Sequence, residues 1–322
     1  MAAPAPPQKV FVTGANGFIG RVLVERYRAL GSEVSGVDLR AGADAAIVQG
    51  DVSSPGEWQR DAEGCEVVIH TAALVGMYSS PDGYWESNVR APRVVLDAAV
   101  AGGAQRFVHL SSIVTFGFDY PDGVDEQYPL RPNGVNYVDT KVAAEQAVFQ
   151  AHARGEVACT VIRPGDVYGP RSNFWTTVPV QEIKRGRIML PAMGRGHVSP
   201  VYVDDLVAGV MLAAGAPEGA GQAFTLTGGV GVETRDFFGR YARMVGKRRV
   251  PVAPTPVVVA LAATVGRFTA GGEVTTDAIR YLARKGTYSI EKARSLLGYQ
   301  PAVDLDEGMR RSEEWLRSEG IV

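Results

Sequence analysis

The 322-residue chain predicts an α/β fold: a doubly wound parallel sheet with helices on both faces, and a smaller C-terminal lobe. Three observations predict it. Short β-branched runs alternate with amphipathic stretches through the first half. A spaced glycine triplet, Gly14, Gly17 and Gly20, lies where the first run passes into the first helix. After Pro164 the texture changes, with frequent Gly and Pro and shorter elements.

The elements follow in order. Apolar runs predict strands over Lys9–Thr13, Glu33–Val37, Ala46–Gln49, Glu66–His70, Arg106–Leu110 and Ala158–Arg163. Between them, amphipathic spacing predicts helices over Gly17–Leu30, Gly56–Ala62, Tyr84–Ala101 and Tyr137–Ala153. Strands alternating with helices imply parallel pairing through right-handed crossovers. Helical spacing returns at Asp204–Ala214, Thr234–Val245 and within Tyr288–Gly320. The expected organisation is a loose tail over 1–8, a dinucleotide-binding unit over 9–164, and a substrate-binding lobe over 165–322 interleaved with the sheet.

Composition narrows the function. The chain is 46% hydrophobic, enough for a sizeable core, and its net charge of -2 gives no basic excess for nucleic acid. Cys65 and Cys159 are the only cysteines, which argues against a disulfide framework or a metal site and suits a reducing cytoplasm. The start lacks the basic and apolar regions of a signal peptide. The longest apolar stretch, Val257–Val265, is far short of the about 20 residues of a membrane span, so no integral membrane segment is expected. It reads as a core helix, with an apolar substrate wall or a surface contact with membrane as the alternative.

The run Thr13-Gly14-Ala15-Asn16-Gly17-Phe18-Ile19-Gly20 between a strand and a helix predicts a Rossmann-type dinucleotide cradle. Gly14 permits the turn, Gly17 admits a pyrophosphate, and Gly20 lets the helix pack close. The phosphates would rest on amides at the helix start, where the dipole favours negative charge. Asp38 ends the second strand and can accept both adenosine ribose hydroxyls, which favours NAD. Arg40 beside it can hold a 2′-phosphate, so NADP stays open. Asp51 and Val52 follow the third strand, where the carboxylate would meet adenine or instead cap a turn. Thr71, Ala72 and Ala73 leave room for the cofactor after the fourth strand, and His70 before them reads as structural.

Tyr137 and Lys141 stand four apart on one helix face. Alcohol–ketone chemistry moves a proton at oxygen as hydride moves at carbon. A free phenol, with a pKa of about 10, is a poor base at neutral pH, and a neighbouring ammonium would lower that value. Ser111-Ser112 ends the fifth strand, where a hydroxyl would meet the substrate oxygen. A solvated Tyr/Lys pair and a capping Ser are the alternatives.

Together these residues resemble the extended short-chain dehydrogenase/reductases of the NAD-dependent epimerase/dehydratase superfamily. The resemblance rests on the glycine run, His70-Thr71-Ala72-Ala73, Ser87-Asn88-Val89, His109-Leu110-Ser111-Ser112, Tyr137 to Lys141, Arg163-Pro164-Gly165-Asp166-Val167-Tyr168-Gly169-Pro170 and Tyr202-Val203-Asp204-Asp205. It implies Ser112, Tyr137 and Lys141 as the catalytic set, Asn88 and Ser111 near the cofactor, and Pro164 and Val167 beside the nicotinamide. It also implies that Val75, Met77, Phe116, Phe174 and Trp175, with Tyr78 and Phe118, border the substrate. Arg171, Arg195 and His197 read as exposed structural residues, with binding of an acidic group as the alternative. The segments Ser112–Gly117 and Gly194–Tyr202 and the apolar helix resemble the 3β-hydroxysteroid dehydrogenase-like branch. The resemblance therefore implies a small-molecule oxidoreductase acting on a bulky apolar alcohol or ketone. A sugar-nucleotide epimerase or dehydratase with tightly held NAD is the alternative. Ser199-Pro200-Val201 stands where such enzymes usually carry Arg-Asp-Phe, and no acid follows Ser112. A non-enzymatic cofactor sensor is a third possibility, but it would be expected to lose the Tyr or the Lys. A homodimer through the 84–101 and 137–153 helices is the expected assembly.

Overall fold

The structure, a computed structural model, describes residues 6–76, 80–265 and 276–322. Strand β1 (Lys9–Thr13) enters helix α1 (Phe18–Ala29), followed by β2 (Glu33–Asp38), β3 (Ile47–Gln49) and β4 (Val67–His70). Next come α2 (Pro81–Trp85), α3 (Ala91–Ala101), β5 (Arg106–Leu110), α4 (Asn136–Ala153) and β6 (Ala158–Pro164). The second half opens with β7 (Asp166–Tyr168), α5 (Val178–Arg185), β8 (His197–Val198), β9 (Pro200–Tyr202) and α6 (Val203–Gly215). It continues with β10 (Gln222–Leu226), β11 (Val232–Glu233), α7 (Thr234–Met244), α8 (Thr255–Val265), α9 (Thr276–Leu282), α10 (Glu291–Leu297) and α11 (Leu305–Ser318).

Seven strands form one parallel sheet in the order β10-β6-β5-β4-β1-β2-β3, the reversed winding of a Rossmann fold. Its last strand, β10, comes from beyond residue 164. Two small pairs, β7 with β9 and β8 with β11, tie the C-terminal half together. Both faces of the sheet are buried, which is why the strands read as unbroken apolar runs. Phe11, Val37, Val68, Phe107 and Val161 face the layer of α3 and α4. Val10, Val12, Ile69, Val108 and Ile162 face α1 and α6.

Two helices differ from expectation. Gly56–Ala62 forms a short 3₁₀ turn at Glu57–Ala62. The expected helix Tyr84–Ala101 starts earlier, at Pro81, and opens into a π-type turn at Glu86–Arg90. Pro92 at the start of α3 explains the wide turn. It has no N–H to offer the Asn88 carbonyl, and its ring needs room there.

In-register pairing aligns the carboxyl ends of the central strands: Thr13 lies beside His70, His70 beside His109, and Leu110 beside Ile162. Helix α4 crosses this edge and is anchored by a buried ion pair. Glu145, with no exposed surface, accepts from Arg163 Nε at 3.0 and 3.2 Å and from Nη2 at 2.7 Å. The Arg163 guanidinium also lies 4.9 Å from the Phe116 ring centre. Replacing Glu145 by Ala strands a buried guanidinium. The expected loss is about 3–5 kcal/mol of unfolding free energy, read from urea denaturation. A loss within a few tenths of a kcal/mol would show that Arg163 finds water instead.

Candidate active site

The cradle follows from backbone geometry. Gly14 has φ +66°, a left-handed conformation that favours glycine. A Cβ on Gly20 would lie 2.1 Å from the Gly14 carbonyl oxygen, and one on Gly14 would lie 2.9 Å from Thr71 Oγ1. The close approaches hold the turn against β4, whose Thr71 hydroxyl donates to the Thr13 carbonyl at 2.7 Å. At the end of β2, the Asp38 carboxylate accepts the Asn16 and Arg40 N–H groups, each at 3.0 Å. Each oxygen keeps a lone pair for a ribose hydroxyl. This cradle fits NAD: residues 14–20 would hold the phosphates and Asp38 the ribose. Phe18 and Ile19, in the first turn of α1, pack partly buried against the core. Asp51 takes the Ser53 N–H at 2.8 Å, the capping arrangement, and the Val52 side chain is buried in the core.

The strand ends also carry ordering groups. Asn88 sits inside the π-type turn and is buried. It accepts the Leu74 N–H at 2.8 Å, donates to the Leu74 carbonyl at 3.0 Å, and reaches the Thr140 hydroxyl at 3.4 Å. It therefore straps the loop after β4, with Ala72 and Ala73, to α4. His70 shares a 2.7 Å hydrogen bond with the Thr13 hydroxyl and stacks on His109. Burial, with the nearby Lys141 charge, holds its pKa down to about 3, so its ring is neutral core.

Tyr137, Lys141 and Glu145 occupy successive turns of α4, and each faces the segment Leu110–Ser112 at the carboxyl end of β5. Tyr137 lies near the Ser112 hydroxyl, whose oxygen accepts the Val114 N–H at 3.3 Å. Lys141 Nζ donates to the Leu110 carbonyl at 2.9 Å. Glu145 accepts the Ser111 hydroxyl at 2.5 Å. Ser111 thus turns its side chain into the ion-pair network and leaves only backbone for a cofactor. Burial raises the Tyr137 phenol to about 12 against the lowering influence of Ser112, and it lowers Lys141 to about 8. A base working at neutral pH needs a depressed phenol. The protein alone supplies the opposite, because desolvation outweighs the nearby hydroxyl.

A group that the sequence did not reveal closes the far side. Tyr281 on α9 packs in the same cluster as Tyr137, Phe118 and Val138. Its hydroxyl donates to Asp166, whose other carboxylate oxygen accepts from Arg284 Nη2 at 2.7 Å. Burial opposes the Arg284 charge, and Asp166 outweighs it and keeps the guanidinium protonated. No local spacing links residues 166, 281 and 284. The one available signal was the acid directly before Val167-Tyr168-Gly169. A small opening of about 110 Å³ at the start of α4 is lined in part by Tyr84, Tyr137 and Asp277.

The expected substrate residues are dispersed. Val75 and Phe174 are exposed, and Trp175 packs with Phe237, Phe238 and Tyr281. Phe116 has no exposed surface and serves as the platform under Arg163, so its side chain cannot line an open wall. His197 lies in β8, with Nδ1 buried and without a hydrogen-bond partner. Pro164 and Val167 flank the break between β6 and β7. Met77 and Tyr78 lie outside the described residues.

A glycine cradle at a Rossmann switch point, with a Ser, Tyr and Lys at the same sheet edge, defines an NAD-dependent short-chain dehydrogenase/reductase-type enzyme. The chain belongs to the NAD dependent epimerase/dehydratase family, whose model matches residues 10–226. It is 25% identical to the 2-alkyl-3-oxoalkanoate reductase of Shewanella oneidensis, over 96% of this chain and 87% of that one. It is 27% identical to the decarboxylating sterol-4-alpha-carboxylate 3-dehydrogenase of Bos taurus, over 94% of this chain and 90% of that one. Among solved structures it resembles MoeE5 in complex with UDP-glucose and NAD, with a TM-score of 0.79 and 25% identity, covering 97% of this chain and 99% of that one.

Substituting Gly20 by Ala places a methyl inside contact distance of the Gly14 carbonyl and forces the cradle open. NAD affinity is expected to fall by more than about tenfold in calorimetric titration. An unchanged dissociation constant would separate the cofactor from this turn.

Proposed function

We propose that the chain interconverts a secondary alcohol and a ketone on a bulky, largely apolar substrate, with Tyr137 as the proton donor and acceptor. The observation that carries this reading is the stacking of Tyr137 and Lys141 on one face of α4, with the Ser112 hydroxyl near enough to stabilise the phenolate, Lys141 fixed to the Leu110 carbonyl, and Phe118 and Tyr281 in the same cluster. NAD, when bound, supplies or accepts the hydride at carbon. The chain's own residues handle the oxygen. Ser112 orients it, Tyr137 Oη gives up its proton to it during reduction, and Lys141 stabilises the phenolate that develops.

The named relatives support an oxygen-bearing carbon on a substituted skeleton, the first as a 3-oxo acid reductase and the second as a sterol 3-dehydrogenase. Ser199, Pro200 and Val201 form a buried, uncharged stretch, which weighs against a nucleotide diphosphate. The test is a spectrophotometric panel of 2-alkyl-3-oxo acids, hydroxysteroids and nucleotide sugars with NAD(H) and NADP(H). Turnover confined to nucleotide sugars, without net change at the nicotinamide band, would overturn the proposal.

Tyr137→Phe removes only the phenolic oxygen. Turnover is expected to fall by about 10²–10⁴-fold with NAD affinity nearly unchanged in calorimetry. Near-normal rates would remove Tyr137 from the reaction.

The charge states also set a pH dependence. With its phenol at about 12, Tyr137 is protonated across the neutral range, as reduction requires. Lys141 loses its proton as pH rises through about 8, and with it the field that favours phenolate. The kcat/KM for ketone reduction is expected to be flat below that value and to fall above it. Lys141→Arg moves the fall to higher pH, because a guanidinium stays charged. A profile that stays level well into the alkaline range would sink the assignment.

A further inference from the structure

Helix α8 reads Thr-Pro-Val-Val-Val-Ala-Leu-Ala-Ala-Thr-Val, with no charged residue. A helix apolar all round belongs in a core. Here Val258 is buried against Ala253 and Ile279, with Val259 and Ala262 packed beside them. The opposite face, with Val257 at 46% and Leu261 at 44% exposure, is turned outward. Two segments extend that face. The Leu190 N–H donates to the Pro251 carbonyl at 2.9 Å, and the Ala253 N–H donates to the Leu190 carbonyl at 3.0 Å. The Met193 N–H donates to the Ala253 carbonyl at 3.0 Å, and Ala192 N–H reaches the Thr255 hydroxyl at 3.2 Å. The pairing brings exposed Met189, Met193 and Val252 alongside the start of α8.

The same two segments carry Arg187, Arg195, Arg248 and Arg249, all exposed. Among the described residues none of the four is in an ion pair. The acids on neighbouring elements are engaged elsewhere: Glu182 by Arg185, and Glu233 and Asp236 by Arg235. An apolar ridge flanked by unpaired arginines, on a chain whose net charge is -2, is a local feature and not a general excess of basic residues.

We propose that this face docks on an anionic lipid bilayer, with the α8 ridge entering the headgroup boundary and the arginines meeting lipid phosphates. A second copy of the chain fits less well, because a two-fold contact would bring these arginines toward one another. Docking here has a functional geometry. Helix α8 packs on α9, and α9 carries Tyr281 in the Tyr137 cluster, so the cleft would open near the lipid surface. The proposal stands apart from the substrate reading, since it concerns where the enzyme sits.

The test is co-sedimentation of the full chain with phosphatidylcholine vesicles, with and without phosphatidylglycerol, over a salt series. Binding is expected only with phosphatidylglycerol and should weaken with salt. The R248Q/R249Q double variant is expected to bind about twentyfold more weakly. Met193→Ser with Val257→Ser should weaken binding while leaving its salt dependence in place. No sedimentation at low salt, or full binding by R248Q/R249Q, would overturn the proposal. A dimer in light scattering that Val257→Asp converts to monomer would also overturn it, by assigning the face to self-association. Turnover of a water-soluble ketone should be unchanged in these variants, so a failure here leaves the oxidoreductase reading standing.

Discussion

The site depends on one helix being held at one height against one strand. On α4, Tyr137, Lys141 and Glu145 follow one another at four-residue intervals, and they meet Ser112, the Leu110 carbonyl and Ser111 respectively. Only Glu145 carries a bidentate buried partner, Arg163 on the adjacent strand. A buried ion pair contributes little net stability over an apolar substitute, yet breaking it is costly. That asymmetry suits a device that sets register. Sliding α4 by one turn would strand two charges and pull Lys141 from its carbonyl. The position of the phenol is therefore determined two turns away, at a residue that touches neither candidate cofactor nor substrate.

That anchor explains why part of the site was legible in the sequence and part was not. The cradle could be read because its constraint is local. Gly17 and Gly20 both answer to the Gly14 carbonyl within the same turn, and Gly14 itself takes the left-handed φ that the turn needs, so their spacing carries the geometry. Tyr137 and Lys141 could be read because a four-residue interval is one helical turn. Glu145 falls on the same stripe, but a glutamate in a helix reads by default as a solvated face. Its burial depends on Arg163, whose place in the strand gave no sign of charge pairing. The six strands through residue 164 were legible to within a residue at each end, since strands buried on both faces have no polar side to blur them, whereas β10 and the short strands β7, β8, β9 and β11 were not.

What sequence could not supply is long-range. Asp166, Tyr281 and Arg284 meet across more than a hundred residues of chain and bring α9 down beside Tyr137. Phe116 was expected on an open wall because its loop follows β5. Arg163 instead claims the ring as a platform, since a buried guanidinium gains from an aromatic face. In both cases a buried arginine decided the placement, and in neither did its position along the chain foretell the partner. The π-type turn at Asn88 belongs with these: Pro92 forces the widened turn, and the widened turn presents the side chain that orders the loop after β4.

The electrostatics of the site point in a direction that its residue types alone do not. A phenol raised to about 12 and an ammonium lowered to about 8 are both displaced toward their neutral forms by the same cause, exclusion of water. The protein shell thus favours the protonated phenol, and the ammonium is retained at neutral pH by only a narrow margin. Such a phenol holds its proton at neutral pH but is a weaker acid, so delivering the proton to a ketone oxygen would still need the phenolate to be stabilised. Drawing the proton the other way, from an alcohol, requires added positive charge beside the phenol. Of the described side chains, Lys141 is the cation placed one turn below the phenol, and its Nζ is already committed to the Leu110 carbonyl. How readily a proton could pass at the phenol in either direction is then governed by how dry the strand edge keeps the Tyr/Lys pair, since exclusion of water disfavours the phenolate and the ammonium alike.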